Sequence, residues 1–262
     1  VWPQEPHPES TWTRKGEIGD WDASPQLAEG DFLSLKDIDH GPALEDPSAS
    51  WDQLRRIESF RPSPALFHLI QIYKYWIAYA DIDGFRIDTV KHMEPGAVRI
   101  FANAIHEFAQ SLGKDDFYLI GEVTGGRANA VSTVRTTGID AAPGIDEIPD
   151  KLGYLAKGKR SPGNPRTSDQ EGYFDLFRNS LFEGESSHQW FIKHVVTSLD
   201  DHDQVGARRK FRFCGRDDGL QVLPIALALN LFSAGIPCLY YGTEQGFDGA
   251  DRIVFADIVV QA

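Results

Sequence analysis

From residue 64 onward the chain repeats one pattern, a helix-length amphipathic segment followed by a short apolar run that ends in polar or acidic residues. Residues 65–80 carry apolar side chains at helical spacing, among them Leu66, Leu69, Ile70, Tyr73, Ile77 and Ala80. GFRID (84–88) then suits a strand. Pro95 opens a second helix that runs to about Leu112 and stops at Gly113, the usual asymmetry of proline start and glycine stop. FYLIGEV (117–123) is the next strand, 129–136 a short helix, and 194–199 a further strand. A strongly apolar helix over 220–234 ends at Gly235, and IPCLYY (236–241) closes the pattern as a buried strand. Strands alternating with helices build right-handed βαβ units on a parallel sheet. The alternation alone leaves open a doubly wound sheet and a (β/α)8 barrel. Residues 1–63, rich in Pro, Gly, Asp and Trp with little periodicity, are expected to be loop-rich, and the polar stretch 157–170 an exposed loop.

Such a fold requires a core, and 262 residues with 41% hydrophobic and 11% aromatic side chains can supply one. The net charge of −13 disfavours nucleic acid and anionic membrane surfaces as partners and suits a neutral substrate. Cys214 and Cys238 have neither metal-ligand spacing nor the pattern of a disulfide framework. The longest apolar run, 220–234, is interrupted by Pro224, Asn230 and Ser233 and is too short to span a membrane. No glycine-rich phosphate loop follows any strand, which disfavours a nucleotide-binding enzyme.

The chemistry lies at the strand ends. Alternation places Phe85 and Ile87 on one face of the first strand and Arg86 and Asp88 on the other. A guanidinium beside a carboxylate holds it ionised, as a nucleophile must be, although a structural ion pair is equally open. Glu122 follows an apolar run, where desolvation can raise a carboxyl into the range of a general acid, yet a surface or capping carboxylate is the commoner fate of a lone glutamate. The strand over 194–199 runs into Asp200-Asp201-His202-Asp203, either a site or a solvated turn. Together Asp88, Glu122 and Asp203 stand at the C-terminal ends of three strands, and one nucleophilic plus one acidic carboxyl is what retaining glycoside hydrolysis requires.

These motifs resemble those of glycoside hydrolase family 13, the α-amylase family. DGFRIDTVKH (83–92) is similar to the family's second signature region, IGEV (120–123) to its third and LDDHD (199–203) to its fourth. SLKDID (34–39) resembles a short region late in the inserted second domain, and GIPCLYYGTEQGF (235–247) resembles strand eight. The resemblance implies a partial (β/α)8 barrel, strands four to eight, over residues 64–262, preceded in 1–63 by the end of the inserted domain. It implies Asp88 as nucleophile, Glu122 as general acid/base and Asp203 as a third carboxylate that binds ring hydroxyls. Arg86 would fix Asp88, His202 would contact the sugar where cleavage occurs, and Lys91 and His92 would hold glucose units on the leaving-group side.

The implied activity is retaining endo-hydrolysis of α-1,4-glucosidic bonds in starch-like glucans. A transglycosylase or isomerase of the same family uses the same carboxylates, and an inactive glucan-binding fragment is a reading of another class. The sequence departs from the family in Asp201, where Asn is usual. The family's first signature region, on strand three, has no counterpart, so the chain, which opens without Met or signal-peptide pattern, is expected to be a fragment and inactive by itself. That region supplies an Asn ligand to a bound calcium. Calcium is therefore an open expectation here, with the His92 backbone carbonyl and a second-domain ligand remaining. Of the six tryptophans, Trp2, Trp12, Trp21 and Trp51 lie early, where packing is the commoner role and one or two could line sugar subsites. Nothing in the family resembles the residues from Arg252 onward.

Overall fold

A computed structural model describes residues 11–13, 15–23, 26–32, 36–43, 53–124, 127–143, 152–153, 155–157, 187–203, 212–215 and 218–249. Trp2, Trp51, residues 252–262 and all of the 157–170 stretch except Lys157 lie outside these. The chain forms two compact units, residues 1–142 and 143–262.

In the first unit, α3 (Pro64–Ala80) begins where Ser63 takes an N-terminal amide, that of Leu66, on its hydroxyl at 3.2 Å, and where Pro64 needs no amide partner. It buries Leu66, Ile70 and Ile77, as its periodicity requires. α4 (Pro95–Ser111) buries Val98, Phe101, Ala102, Ile105 and Ala109 along one stripe and is closed by Gly113 at φ 78°. Strands β1 (Gly84–Ile87) and β2 (Tyr118–Gly121) pair in parallel, and Ala141 bridges Ile120 in the same sense beyond β2. Edge-on ring contacts join the layers: Tyr73 of α3 meets Phe85 of β1 at 5.2 Å and Phe101 of α4 at 5.5 Å. Helix α5 (Arg127–Thr137) follows β2 and runs slightly longer than its expected span.

The stretch over 1–63 is not wholly loop. It contains α1 (Gln26–Glu29) and α2 (Gln53–Ser59). Helix α2 has no apolar stripe to reveal it; it is held by polar contacts made elsewhere in the chain. Arg56 forms a buried bidentate pair with Glu94, and the Gln53 amide bonds Thr133, Ser132 and Thr136 of α5 at 2.8–3.1 Å.

In the second unit, α6 (Ser187–His194) leads directly into β3 (Val195–Thr197), so His194 ends a helix instead of opening a strand. Helix α7 (Gly219–Phe232) is apolar on every side, and the chain turns at Gly235, φ 116°, into β4 (Ile236–Pro237), parallel to β3. The expected buried strand 236–241 is corrected. Only its first two residues are strand, and Leu239 and Tyr241 are exposed. After Cys238 donates to the Thr197 carbonyl at 2.7 Å, no further ladder bond is seen among the described residues, and a turn at 241–246 takes over.

Candidate active site

The register of β1 and β2 pairs Ile87 with Gly121, so the next residues, Asp88 and Glu122, stand level at the C-terminal ends of adjacent parallel strands. The backbone extends the match one step, since Glu122 N–H donates to the Ile87 carbonyl at 2.9 Å. Arg86 lies on the same face and bridges the two carboxyls. Its Nη1 donates to Asp88 Oδ1 and its Nη2 lies 3.2 Å from Glu122 Oε2. Gly121 makes this possible from below: a methyl in its place would lie 2.5 Å from Ile139 Cδ1.

The two carboxyls differ in surroundings. The Asp88 side chain is 62% exposed and the Glu122 side chain 16%. Burial, then a hydrogen bond shared with the Asp88 carboxyl, pushes Glu122 above the ordinary carboxylate range, against the opposing Thr89 amide and Arg86 guanidinium. Environments that separate two carboxyls in this way suit the buried one to acid work and the exposed one to work as an anion.

Between them the backbone is strained. Thr89 sits at φ 52°, ψ 28°, a left-handed conformation that costs a β-branched residue about 1–2 kcal/mol. Its N–H donates to Glu122 Oε2 at 3.0 Å, and its carbonyl receives His92 N–H as the short 3-10 turn Val90–His92 begins.

Lys91 and His92 point back into the early stretch. Lys91 Nζ is bound by Asp22 Oδ1 at 2.5 Å, and His92 Nδ1 faces the Leu27 carbonyl at 2.8 Å with its ring edge-on to Trp21 and Phe32. A cavity of about 530 Å³ in this unit is lined by Asp88, Thr89, His92, Phe32, Asp37 and His40, with Tyr73 and Phe85 behind. Asp37 is pushed up to about 6 by burial and by the neighbouring charges of Asp31 and Asp39. A carboxylate oxygen in an acidic field is a donor of the type that hard cations take. Asp31, by contrast, has both oxygens engaged by Lys36, Thr13 and the Asp37 amide.

In the second unit the acidic run divides. Asp200 is buried and fully engaged: Oδ1 takes Phe213 N–H at 2.6 Å, and Oδ2 takes Thr243 Oγ1 at 2.9 Å and Arg212 Nε at 3.3 Å. Asp201, His202 and Asp203 are exposed past it. Asp201 Oδ1 accepts Asp203 N–H at 2.8 Å, a role that an asparagine oxygen fills equally, so the departure at 201 keeps this turn. His202 Nε2 lies 3.4 Å from Asp203 Oδ1.

Thus Arg86, Asp88 and Glu122 come together in one unit, with Lys91 and His92 on the adjoining turn, while His202 and Asp203 sit side by side in the other. Sequence reasoning missed Thr89, Asp22 and Phe32. The twist at Thr89 has no local signature, and the Asp22–Lys91 pair spans 69 positions.

No family model matches the chain. It is 30% identical over 185 residues to an α-amylase of Streptomyces lividans, covering 69% of this chain and 19% of that protein. It is 25% identical over 197 residues to a cyclomaltodextrin glucanotransferase of Klebsiella oxytoca, covering 68% of this chain and 28% of that one. The chain therefore spans under a third of the length of these relatives. Among solved structures, an α-amylase of Geobacillus thermoleovorans complexed with acarbose superposes with a TM-score of 0.64 at 25% identity, covering 91% of this chain and 45% of that one. Such neighbours are (β/α)8 barrels, which decides between the two parallel-sheet architectures; the described strands are part of a barrel and do not close one.

Proposed function

As this chain belongs to the α-amylase family of glycoside hydrolases, we propose that it supplies the nucleophile and acid for retaining endo-hydrolysis of α-1,4-glucosidic bonds in starch-like glucans. The observation that supports this most directly is the level pair Asp88 and Glu122 bridged by Arg86.

In the first step Asp88 attacks the anomeric carbon while Glu122 protonates the departing glycosidic oxygen. Arg86 Nη1 donates to Asp88 Oδ1, which holds the attacking carboxylate in place. In the second step Glu122, now a carboxylate, removes a proton from water, which attacks the glycosyl carbon and releases Asp88. The charge-assisted bond from Arg86 favours the carboxylate form of the leaving Asp88.

The remaining roles come from motif. Asp203 binds ring hydroxyls and favours the distorted sugar, and His202 contacts the same ring. Lys91 and His92 hold glucose units on the leaving-group side, with Asp22 fixing the Lys91 ammonium. A calcium ion would be held by the Asp37 carboxylate and the His92 carbonyl, where it would tie the early stretch to the turn after β1 and do no chemistry.

The second reading, glucanosyl transfer to a sugar acceptor, is favoured by the similarity to the Klebsiella oxytoca glucanotransferase. Product analysis on starch and maltooligosaccharides, with the anomeric configuration followed by NMR, separates the two. Linear products released with α configuration support hydrolysis. Cyclic or elongated products support transfer. β-Configured products would exclude the two-step mechanism altogether.

A further inference from the structure

We infer that Thr243 is a positioning residue for the proposed third carboxylate, Asp203: its hydroxyl ties the turn over 240–247 to Asp200 and so fixes the base of the turn that carries His202 and Asp203. This rests on the retaining-glycosidase reading above.

That turn departs from Asp200, which is buried together with Arg212 and Thr243. The three side chains form a closed triangle. Arg212 Nη2 donates to Thr243 Oγ1 at 3.0 Å, Thr243 Oγ1 donates to Asp200 Oδ2 at 2.9 Å, and Arg212 Nε donates to the same Oδ2 at 3.3 Å. A guanidinium has only donors, so the hydroxyl oxygen accepts on that side and its single proton is left for Asp200. The hydroxyl is the nearer of the two donors on Oδ2, and Phe213 N–H on Oδ1 at 2.6 Å completes the grip on the carboxylate.

The hydroxyl is presented by a stiff support. Thr243 N–H donates to the Tyr240 carbonyl at 3.0 Å, and the Thr243 carbonyl accepts Gly246 N–H at 3.1 Å. Gly242, at φ 76°, packs so close to the Phe247 ring that a methyl in its place would lie 2.3 Å from a ring carbon. Arg212 is held by the same turn, through the Tyr241 carbonyl at 2.7 Å and over the rings of Tyr240 and Phe247 at 5.0 and 5.7 Å. Both donors on Asp200 Oδ2 are therefore set by residues 240–247. From Asp200 the chain continues into Asp201, whose Oδ1 accepts Asp203 N–H at 2.8 Å, so a shift of Asp200 is passed directly along the backbone to His202 and Asp203.

The test compares Thr243→Val, which keeps the shape and deletes the hydroxyl, with Thr243→Ser, which keeps the hydroxyl, both in protein that also carries a strand-three region. In the proposed mechanism Asp203 favours the distorted sugar, so its displacement weakens an interaction made in the transition state. On maltooligosaccharides Thr243→Val is expected to lower kcat by about tenfold with KM within about twofold, and Thr243→Ser to stay within about twofold of the parent in both. Amide exchange followed by NMR is expected to be about tenfold faster at Asp203 in Thr243→Val and unchanged in Thr243→Ser. A fall in Tm with kcat and that exchange rate in place overturns the inference, as does an equal loss of kcat in the two variants. If Thr243→Val does not fold, Asp200→Asn replaces it, since in either orientation its amide NH2 faces a donor. The same loss of kcat is expected there, and failure of both variants to fold assigns the triangle to stability and overturns the role. Absence of glycoside hydrolysis in the unaltered protein sinks the glycosidase reading and this role with it, while hydrolysis with unmoved exchange at Asp203 in Thr243→Val sinks the inference alone.

Discussion

Glu122 and Asp88 stand level one step past the last rung of the parallel β1–β2 ladder, and a single guanidinium, that of Arg86, touches both. The pair is asymmetric because the Glu122 side chain is largely buried while Asp88 is exposed and lines the cavity. That asymmetry supports the proposed roles of acid and nucleophile, and the tests below address them.

Removing either carboxyl should abolish turnover. In protein that also carries a strand-three region, Asp88→Asn and Glu122→Gln are each expected to lower hydrolysis of starch by at least about a thousandfold, since each deletes half of a two-carboxyl mechanism. Steady-state rates suffice as the check. Loss below about tenfold, only ~1.4 kcal/mol in barrier, would contradict the assignment.

Glu122 also carries a stability signature. Its carboxyl is raised in the folded state, so its contribution is fully present below the ordinary glutamate value and is lost as pH rises through the folded value. Once the group ionises, its buried charge is a liability. Glu122→Gln should therefore melt higher than the parent at pH 7 and lose that advantage below about pH 4. Thermal melts across this range decide it, and equal melting at both pH values would refute the buried-acid assignment.

The floor under Glu122 is tight. Gly121→Ala places a methyl against Ile139 Cδ1 and Val90 Cγ2, at 2.5 and 3.2 Å. Overpacking of this kind costs about 1–3 kcal/mol, and the shift of Glu122 should lower kcat as well. Adding Ile139→Val removes the offending methyl and is expected to restore much of both. A double-mutant cycle measures the coupling.

Lys91 should matter most for long substrates. Its ammonium is held by Asp22, so Lys91→Ala and Asp22→Asn are both expected to raise KM for starch more than for a short aryl maltoside with a good leaving group. Equal losses on the two substrates would assign the pair to structure instead.

Calcium should stabilise through Asp37. Addition of calcium at about pH 7 is expected to raise Tm, chelation to reverse it, and Asp37→Asn to remove the response. Direct titration by calorimetry provides the check.

Much of this was legible in the chain because it depends on neighbours in sequence. Ser63 and Pro64 start α3, Pro95 and Gly113 bracket α4, and GFRID and LIGEV announce strands whose last acidic residue falls one step past the ladder. These are effects of backbone geometry and side-chain periodicity, and they act within one turn or one pleat. The same locality puts Asp88 and Glu122 at strand ends in the sequence, while their proposed roles come from the family resemblance.

Other features required the folded chain. Helix α2 has no stripe of its own and is held by Glu94 and by α5, far along the chain. Whether Asp200 or Asp203 is the buried member of an acidic run depends on Arg212, Phe213 and Thr243, which no spacing rule connects to it. IPCLYY reads as a buried strand from composition, yet burial is a property of what lies alongside, and beyond Cys238 the described residues place no ladder partner there. Residue types and their local order determined which groups could do the chemistry. Tertiary structure alone decided the left-handed turn at Thr89, the depth of Glu122 and the partner of Lys91, because each depends on free energy gained between residues distant in the chain.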